Sequence, residues 1–362
     1  MQYTIDGASK TPAYIQLYEQ LRRDIVAGVY ALGAKLPSKR LISAELGISV
    51  VTVEHALSIL ADEGYIGTRE RSGYFVIYRA DDGFAAPAPV CAKRRHVPHT
   101  EGREDAMPFS VLARTMRRVI SEYGEEILER SPTSGCAQLR RAISDYLLRS
   151  RGMSVAPEQV VVGSGAEHLY GLVVQMLGTD RPYATEDPCY EKIRAVYRSG
   201  GAVVQGLPLD EEGITPEALS ASGAGVLHVT PYHSFPSGVT ATASRRRAYL
   251  DFIAARGGVL IEDDFDSEFT VSAKMEDTLF SQDKGGRVIY MNSFTKTVAA
   301  SLRVAYMVLP SSLLPLFSSR VGFYSCTVPT FEQYVLADLL DSGDFERHIN
   351  RRRRDMRRRQ GK

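Results

Sequence analysis

The sequence predicts an α/β protein with a small helical head in front of it. Three observations carry the prediction. From Met107 onward, short β-rich runs, VVVG (160–163), GVLHVTP (225–231), GGVLIEDD (257–264) and RVIYMNS (287–293), alternate with longer amphipathic stretches. That is the pattern of a mostly parallel sheet with flanking helices. Ahead of them stand three helix-periodic segments and a pair of short β-rich runs. Between the two parts, residues 80–105 (ADDGFAAPAPVCAKRRHVPHTEGRED) are rich in Ala, Pro and charge and lack an apolar period, as a connector does. The expected division is a head over 1–78, a flexible linker over 79–105 and the α/β body over 106–362.

In the head, Ile15, Leu17, Leu21, Ile25 and Val26 recur near helical spacing, so a first helix is expected from Pro12 to about Val29. Ser38 is a good N-cap for a second, with Leu41, Ile42, Ala44 and Leu46 as its buried stripe and Gly47 as its stop. Ser49 caps a third that runs through Val53, Ala56, Leu57 and Leu60 to about Glu63. Two helices joined by the tight turn LGIS form a helix-turn-helix. The β-rich runs 65–68 and 74–77, around Arg69, Arg71, Ser72 and Gly73, then read as a hairpin wing with a basic tip. Such a module docks its third helix in the major groove of double-stranded DNA. Base reading falls to Ser49, Val50, Thr52 and His55, and phosphate positioning to Ser38, Lys39, Arg40 and the wing residues Arg71 and Gly73.

In the body, open α/β sheets hold ligands beyond the carboxyl ends of their strands. Gly165 and Ala166 follow VVVG at a helix start, where backbone N–H groups and the helix dipole favour a phosphate. Asp263 ends one strand and can pair with a protonated ring nitrogen. Lys296 follows another, with Ser293 and Thr295 before it and Arg303 after it as phosphate partners. A lysine, an acid and phosphate donors together match a site for pyridoxal 5'-phosphate. Singly, each has a plainer reading: a surface lysine, a helix cap, half of a structural ion pair.

Composition narrows the rest. Lys and Arg number 44 against 43 Asp and Glu, a net charge of +1 that does not advertise nucleic-acid binding. The exception is the crowd of Arg347, His348, Arg351 to Arg354, Arg357 to Arg359 and Lys362. It is read as a solvated helix face, and the DNA site is not placed there. Cys91, Cys136, Cys189 and Cys326 are scattered, which indicates neither a disulfide framework nor a zinc site and fits a reducing cytoplasm. With no basic-then-apolar leader and no apolar run near the ~20 residues that span a bilayer, a cytoplasmic protein without a membrane partner is expected.

Residues 35–77 resemble the GntR family of winged-helix regulators. The matching positions are Leu36, Pro37, Ser38, Arg40, Leu46, Gly47, Ser49, Thr52, Val53, Ala56, Leu60, Gly64, Ser72, Gly73, Phe75 and Val76. The family usually places arginine after the capping serine, where this chain has Val50, so its operator does not carry over. Five further segments, TSGCAQLRRAISDYLLRSRG, EDPCYEKIRAVYRSGGAVVQGLPLD, HVTPYHSFPSGVTATASRRRAYL, IEDDFDSEF and SFTKTVAASLRVAYMVLP, resemble in that order the body of the MocR subgroup.

That resemblance implies a fold type I aminotransferase large domain in a head-to-tail homodimer. By position, Lys296 is the Schiff-base lysine, Asp263 the ring-nitrogen partner, Tyr190 the stacked aromatic, Arg303 a phosphate ligand, and Gly165 and Ala166 the phosphate cradle. Three departures bear on mechanism. Phe265 replaces a tyrosine whose hydroxyl reaches the cofactor. Glu167 replaces a glutamine beside the phosphate and repels it if it faces it. Family members continue into a small C-terminal domain with a carboxylate-binding arginine, and that domain is expected to be missing here. Three functions follow: a regulator that senses pyridoxal phosphate and an amino-acid or amine effector, an active aminotransferase with a DNA-binding head, or a cofactor-free regulator whose body only dimerises.

Overall fold

The computed structural model describes residues 3–7, 9, 11–69, 73–79, 107–265, 267–269, 277–299 and 301–360. The chain forms two compact units, residues 1–98 and 99–362.

The first unit holds α1 (Ala13–Val26), α2 (Lys39–Leu46), α3 (Val50–Asp62), β1 (Ile66–Arg69) and β2 (Gly73–Val76). Both expected caps form: Ser38 Oγ accepts the Leu41 N–H at 3.2 Å and Ser49 Oγ the Thr52 N–H at 3.0 Å. Gly47 ends α2 at φ 66°, a left-handed turn that costs glycine nothing sterically. Leu17, Leu21, Ile25, Ile42, Val53, Ala56, Leu57 and Leu60 make one core with Leu36, Ile66 and Val76 from the wing. Two expectations need correcting. Helix α1 stops at Val26, and Val29 is exposed beyond it. Leu41 and Ala44 are also exposed, because Ile42 and Leu46, one turn apart, take the inward face of this short helix. The hairpin pairs Ile66 with Val76 and Arg69 with Gly73. A third extended segment joins its edge, where the Leu36 N–H donates to the Tyr74 carbonyl and the Val76 N–H to the Ala34 carbonyl.

The second unit runs α4 (Phe109–Tyr123), α5 (Ala137–Arg151), β3 (Val160–Gly163), α6 (Ala166–Leu177), β4 (Tyr183–Asp187), α7 (Glu191–Ser199), β5 (Val204–Asp210), β6 (Gly213–Ile214), α8 (Pro216–Ala221), β7 (Val226–Val229), α9 (Ala243–Arg256), β8 (Val259–Asp263), α10 (Leu279–Gln282), β9 (Val288–Ser293), β10 (Ala305–Val308), α11 (Leu314–Val321), α12 (Thr330–Asp341) and α13 (Asp344–Gln360). One sheet has the order β3-β10-β9-β8-β7-β4-β5-β6. Strands β9, β8, β7, β4 and β5 pair in parallel, while β10 runs antiparallel between β9 and β3. The four expected strands are all present, and β3, β7 and β10 are buried along their whole length, as strands covered on both faces must be. Helix α13 departs from the expected solvated face. Phe345, His348 and Ile349 are buried, Arg352 and Arg353 are half-buried, and Arg353 Nε donates to the Glu268 carbonyl at 2.6 Å. The inward stripe simply continues one turn into the basic run.

Candidate functional site

The body carries a cavity of about 330 Å3 lined by residues that follow the carboxyl ends of β3, β7, β8 and β9. All eight body residues singled out from the sequence line it: Gly165, Ala166, Tyr190, Asp263, Ser293, Thr295, Lys296 and Arg303. Tyr170, Thr230, Phe235, Phe265 and Glu167 line it too. Tyr170 is four residues after Ala166 on α6, so helical spacing alone would have pointed to it.

Asp263 is buried at the end of β8. Its Oδ2 accepts the Tyr170 hydroxyl at 2.5 Å and lies 3.5 Å from His228 Nε2, while His228 Nδ1 meets the Tyr197 hydroxyl at 2.6 Å. Burial raises the Tyr170 and Tyr197 phenols well above their ordinary range, so both stay protonated. Sequence reasoning did not find His228 and Tyr197, which sit on a buried strand and helix face without a motif. Both contacts to Asp263 address Oδ2, and neither engages Oδ1. On β4, separated from β8 by β7, buried Glu186 accepts the Ser234 hydroxyl at 2.5 Å, and burial pushes its carboxyl up to about 8.

Lys296 is exposed in the cavity, with its ammonium 4.3 Å from the centroid of the Phe265 ring. Phe265, which lacks the hydroxyl of the tyrosine it replaces, therefore offers the lysine a cation–π face. Ser293 Oγ donates to Thr295 Oγ1 at 2.9 Å and accepts the Thr295 N–H at 3.1 Å, which fixes the loop before Lys296. Gly165 caps α6 at φ 92°, and a Cβ there would lie 3.0 Å from the Arg303 guanidinium. The Gly165 N–H donates to the Gly163 carbonyl at 2.9 Å, so the donors left at this helix start begin with Ala166. Glu167 does face this region. Its Oε2 is 3.1 Å from Arg303 Nη2 and its Oε1 is 2.5 Å from Lys192 Nζ. The hydrogen bond from Lys192 is the main reason its carboxyl stays below the usual range. Lys192, in the first turn of α7, carried no sequence signal.

The donor set fits pyridoxal phosphate. The buried Asp263 carboxylate lines the cavity where a ring N–H can meet it, an amine stands in the cavity, and a guanidinium with a helix start suits a phosphate.

In the head, Ser49 Oγ and Thr52 Oγ1 lie 2.8 Å apart, so both hydroxyls belong to the α3 cap. Val50 is 37% and Val51 74% exposed, leaving an apolar first turn on α3. Val51, which the sequence reading did not single out, is the more exposed of the two. His55 stacks on Tyr14 with ring centroids 4.1 Å apart. Lys39 pairs with Glu54 at 2.7 Å, which offsets part of its charge, whereas Ser38 and Arg40 are exposed. Gly73 starts β2 at φ 103°. Arg71 lies outside the described residues.

The fold and both sites define a class: a winged helix-turn-helix joined to an aminotransferase-like body. Residues 13–76 match the model of bacterial regulatory proteins of the gntR family, and residues 101–361 that of aminotransferase class I and II. The HTH-type transcriptional regulator YdeL of Bacillus subtilis is 34% identical over 353 residues, covering 95% of this chain and 76% of YdeL. The probable rhizopine catabolism regulatory protein MocR of Rhizobium meliloti is 31% identical, covering 97% and 76%. The pyridoxine biosynthesis regulator PdxR of Corynebacterium glutamicum is 30% identical, covering 94% and 75%. Among solved structures, the α-aminoadipate aminotransferase LysN of Thermus thermophilus, complexed with N-(5'-phosphopyridoxyl)-L-leucine, matches with TM-score 0.61 and 28% identity over 68% of this chain and 64% of LysN. An aromatic aminotransferase of Pyrococcus horikoshii matches in fold, with TM-score 0.63, 19% identity and 71% and 70% coverage. The chain thus spans about three quarters of its regulator relatives and under two thirds of LysN.

The chain belongs to the GntR family of DNA-binding, HTH-type transcriptional regulators, in the MocR subgroup with an aminotransferase-like body. Among the described residues, no helix is long and apolar enough to cross a membrane, and no group of three or more His, Cys, Asp or Glu is placed to hold a metal.

Proposed function

We propose that this regulator binds pyridoxal 5'-phosphate in the body cavity and that occupancy changes how the head holds its DNA operator. It acts in the cytoplasm as a head-to-tail homodimer, with an amino acid or amine as a second effector. The head is residues 1–78, the linker 79–105 and the body 106–362. The observation that carries this reading is the convergence of Lys296, Asp263 and Arg303 on one cavity, with buried Asp263 hydrogen-bonded to Tyr170 and 3.5 Å from His228 Nε2.

When bound, the cofactor supplies an aldehyde that condenses with a primary amine. Lys296 presents that amine, oriented by the Phe265 ring. Asp263 holds a proton on the ring nitrogen, and the Tyr170 hydrogen bond keeps its carboxylate in place. Tyr190, 37% exposed on the cavity wall, covers one ring face. Arg303, Ser293, Thr295 and the Ala166 N–H receive the phosphate, with Gly165 giving the clearance for it. In the head, α3 enters the major groove with Ser49, Val50, Thr52 and His55 toward base edges, and Ser38, Lys39, Arg40, Arg71 and Gly73 toward the backbone. A ligand shifts the dimer only if it binds its two arrangements with different affinity, so the cofactor must prefer one of them.

The test is an absorbance titration of the full chain with pyridoxal 5'-phosphate beside Lys296→Ala. A visible band that requires Lys296 is expected. No band in either protein would leave the body as a dimerisation scaffold and overturn the cofactor reading.

A further inference from the structure

We propose that Glu167 sets how tightly the cavity holds a phosphate ester, because it occupies the cation that the ester must take. The inference rests on the cofactor reading above and concerns the regulation of that same site. Arg303 is the guanidinium nearest the start of α6, 3.0 Å from where a Gly165 Cβ would stand. One of its Nη atoms already meets Glu167 Oε2 at 3.1 Å, and the other Glu167 oxygen rests on Lys192 at 2.5 Å. Glu167 and Arg303 both line the cavity. A carboxylate of this chain thus stands where the ester's anion is to be received, with a cation on either side of it.

A phosphate arriving at the helix start is the second anion on Arg303. Either Glu167 releases Arg303 and keeps Lys192 alone, or it stays and repels the phosphate. Both routes weaken binding relative to a neutral side chain of the same shape. The size is bounded by exposure: the side chains of Glu167, Arg303 and Lys192 are 33%, 52% and 57% exposed, so water screens the interactions. One exposed pair lost plus one screened repulsion corresponds to roughly three- to tenfold in affinity. The head group of the ligand feels this and its ring does not, so Glu167 discriminates by phosphate charge. A site weakened in this way exchanges its ligand over a concentration range, as a sensor requires, instead of keeping it as a fixed prosthetic group.

The experiment compares the full-length wild type with Glu167→Gln, and with Glu167→Ala as a second variant. Pyridoxal 5'-phosphate and pyridoxal are titrated by absorbance, and inorganic phosphate by melting temperature at constant ionic strength. Both variants are expected to bind pyridoxal 5'-phosphate about three- to tenfold tighter, with the gain shrinking in about 1 M salt, and to bind pyridoxal as the wild type does. Inorganic phosphate should raise their melting temperatures more than that of the wild type. An equal gain for pyridoxal, or no gain for either phosphate compound, overturns the inference. If no protein gives a visible band with either aldehyde, the cofactor reading fails separately. The inorganic-phosphate comparison then decides on Glu167: a larger shift in the variants upholds its role, and an equal or smaller one overturns it.

Discussion

Replacing Asp263 by asparagine removes one charge from the floor of the cavity and almost nothing else. The residue is 6% exposed, and the amide oxygen of asparagine can still accept the Tyr170 hydroxyl that Asp263 accepts at 2.5 Å. The unit should therefore stay folded. What is lost is the charge-assisted hydrogen bond to a ring N–H. Hydrogen bonds to charged groups contribute about 1.5–3 kcal/mol against about 0.5–1.5 for neutral ones. Burial places the loss toward the upper end, about 1.5–2.5 kcal/mol, or roughly 10- to 70-fold in Kd. The assay is an absorbance titration with pyridoxal 5'-phosphate, with circular dichroism and melting temperature as fold controls. A folded Asp263→Asn protein whose Kd lies within about twofold of the wild type would refute the argument, since tenfold corresponds to about 1.4 kcal/mol.

Arg40→Ala and Arg71→Ala should each weaken operator binding about equally across sequences and lower the salt dependence by about one counterion, as fluorescence anisotropy at several salt concentrations would show; unchanged affinity in both variants would overturn the assigned DNA face. Leu57→Ala, fully buried in the head core, should destabilise the head by about 2–5 kcal/mol in urea melts, leaving cofactor absorbance intact. Glu186→Gln should change the pH dependence of the body's stability. The folded carboxyl titrates near 8 and the unfolded one near 4.5, so between those values the folded state binds the extra proton and the wild type loses stability as pH rises. The variant lacks this slope of about 1.4 kcal/mol per pH unit and should gain on the wild type from pH 5 to pH 8. Parallel stability–pH curves would count against the buried, protonated Glu186.

The head was legible because its signals are local. Ser38 and Ser49 cap helices, Gly47 turns the chain, and Val53, Leu57 and Leu60 recur at helical spacing, each a property of a few adjacent residues. In the body, β3, β7, β8 and β9 announced themselves as apolar runs. The β4 run (YATED) and the β5 run (VQGLPLD) did not, because β4 buries Thr185 and Glu186 in polar contacts and Gly206 and Pro208 interrupt β5. The cavity residues at strand ends were found from their types and order. Their partners were not: His228 and Tyr197 reach Asp263 only through strand pairing and helix packing, and Lys192 reaches Glu167 across 25 residues of sequence. The same holds for Arg353, whose basic neighbours suggested solvent while helix packing turned its stem inward.

The central claim is that occupancy of the body is read out by the head. The most direct measurement is the affinity of the full chain for promoter DNA flanking its own gene, with and without saturating pyridoxal 5'-phosphate, in the wild type and in Lys296→Ala. The account predicts that the ligand changes DNA affinity severalfold in the wild type and leaves Lys296→Ala unchanged. Identical DNA affinities with and without the ligand in a wild-type protein that visibly binds it would contradict the account.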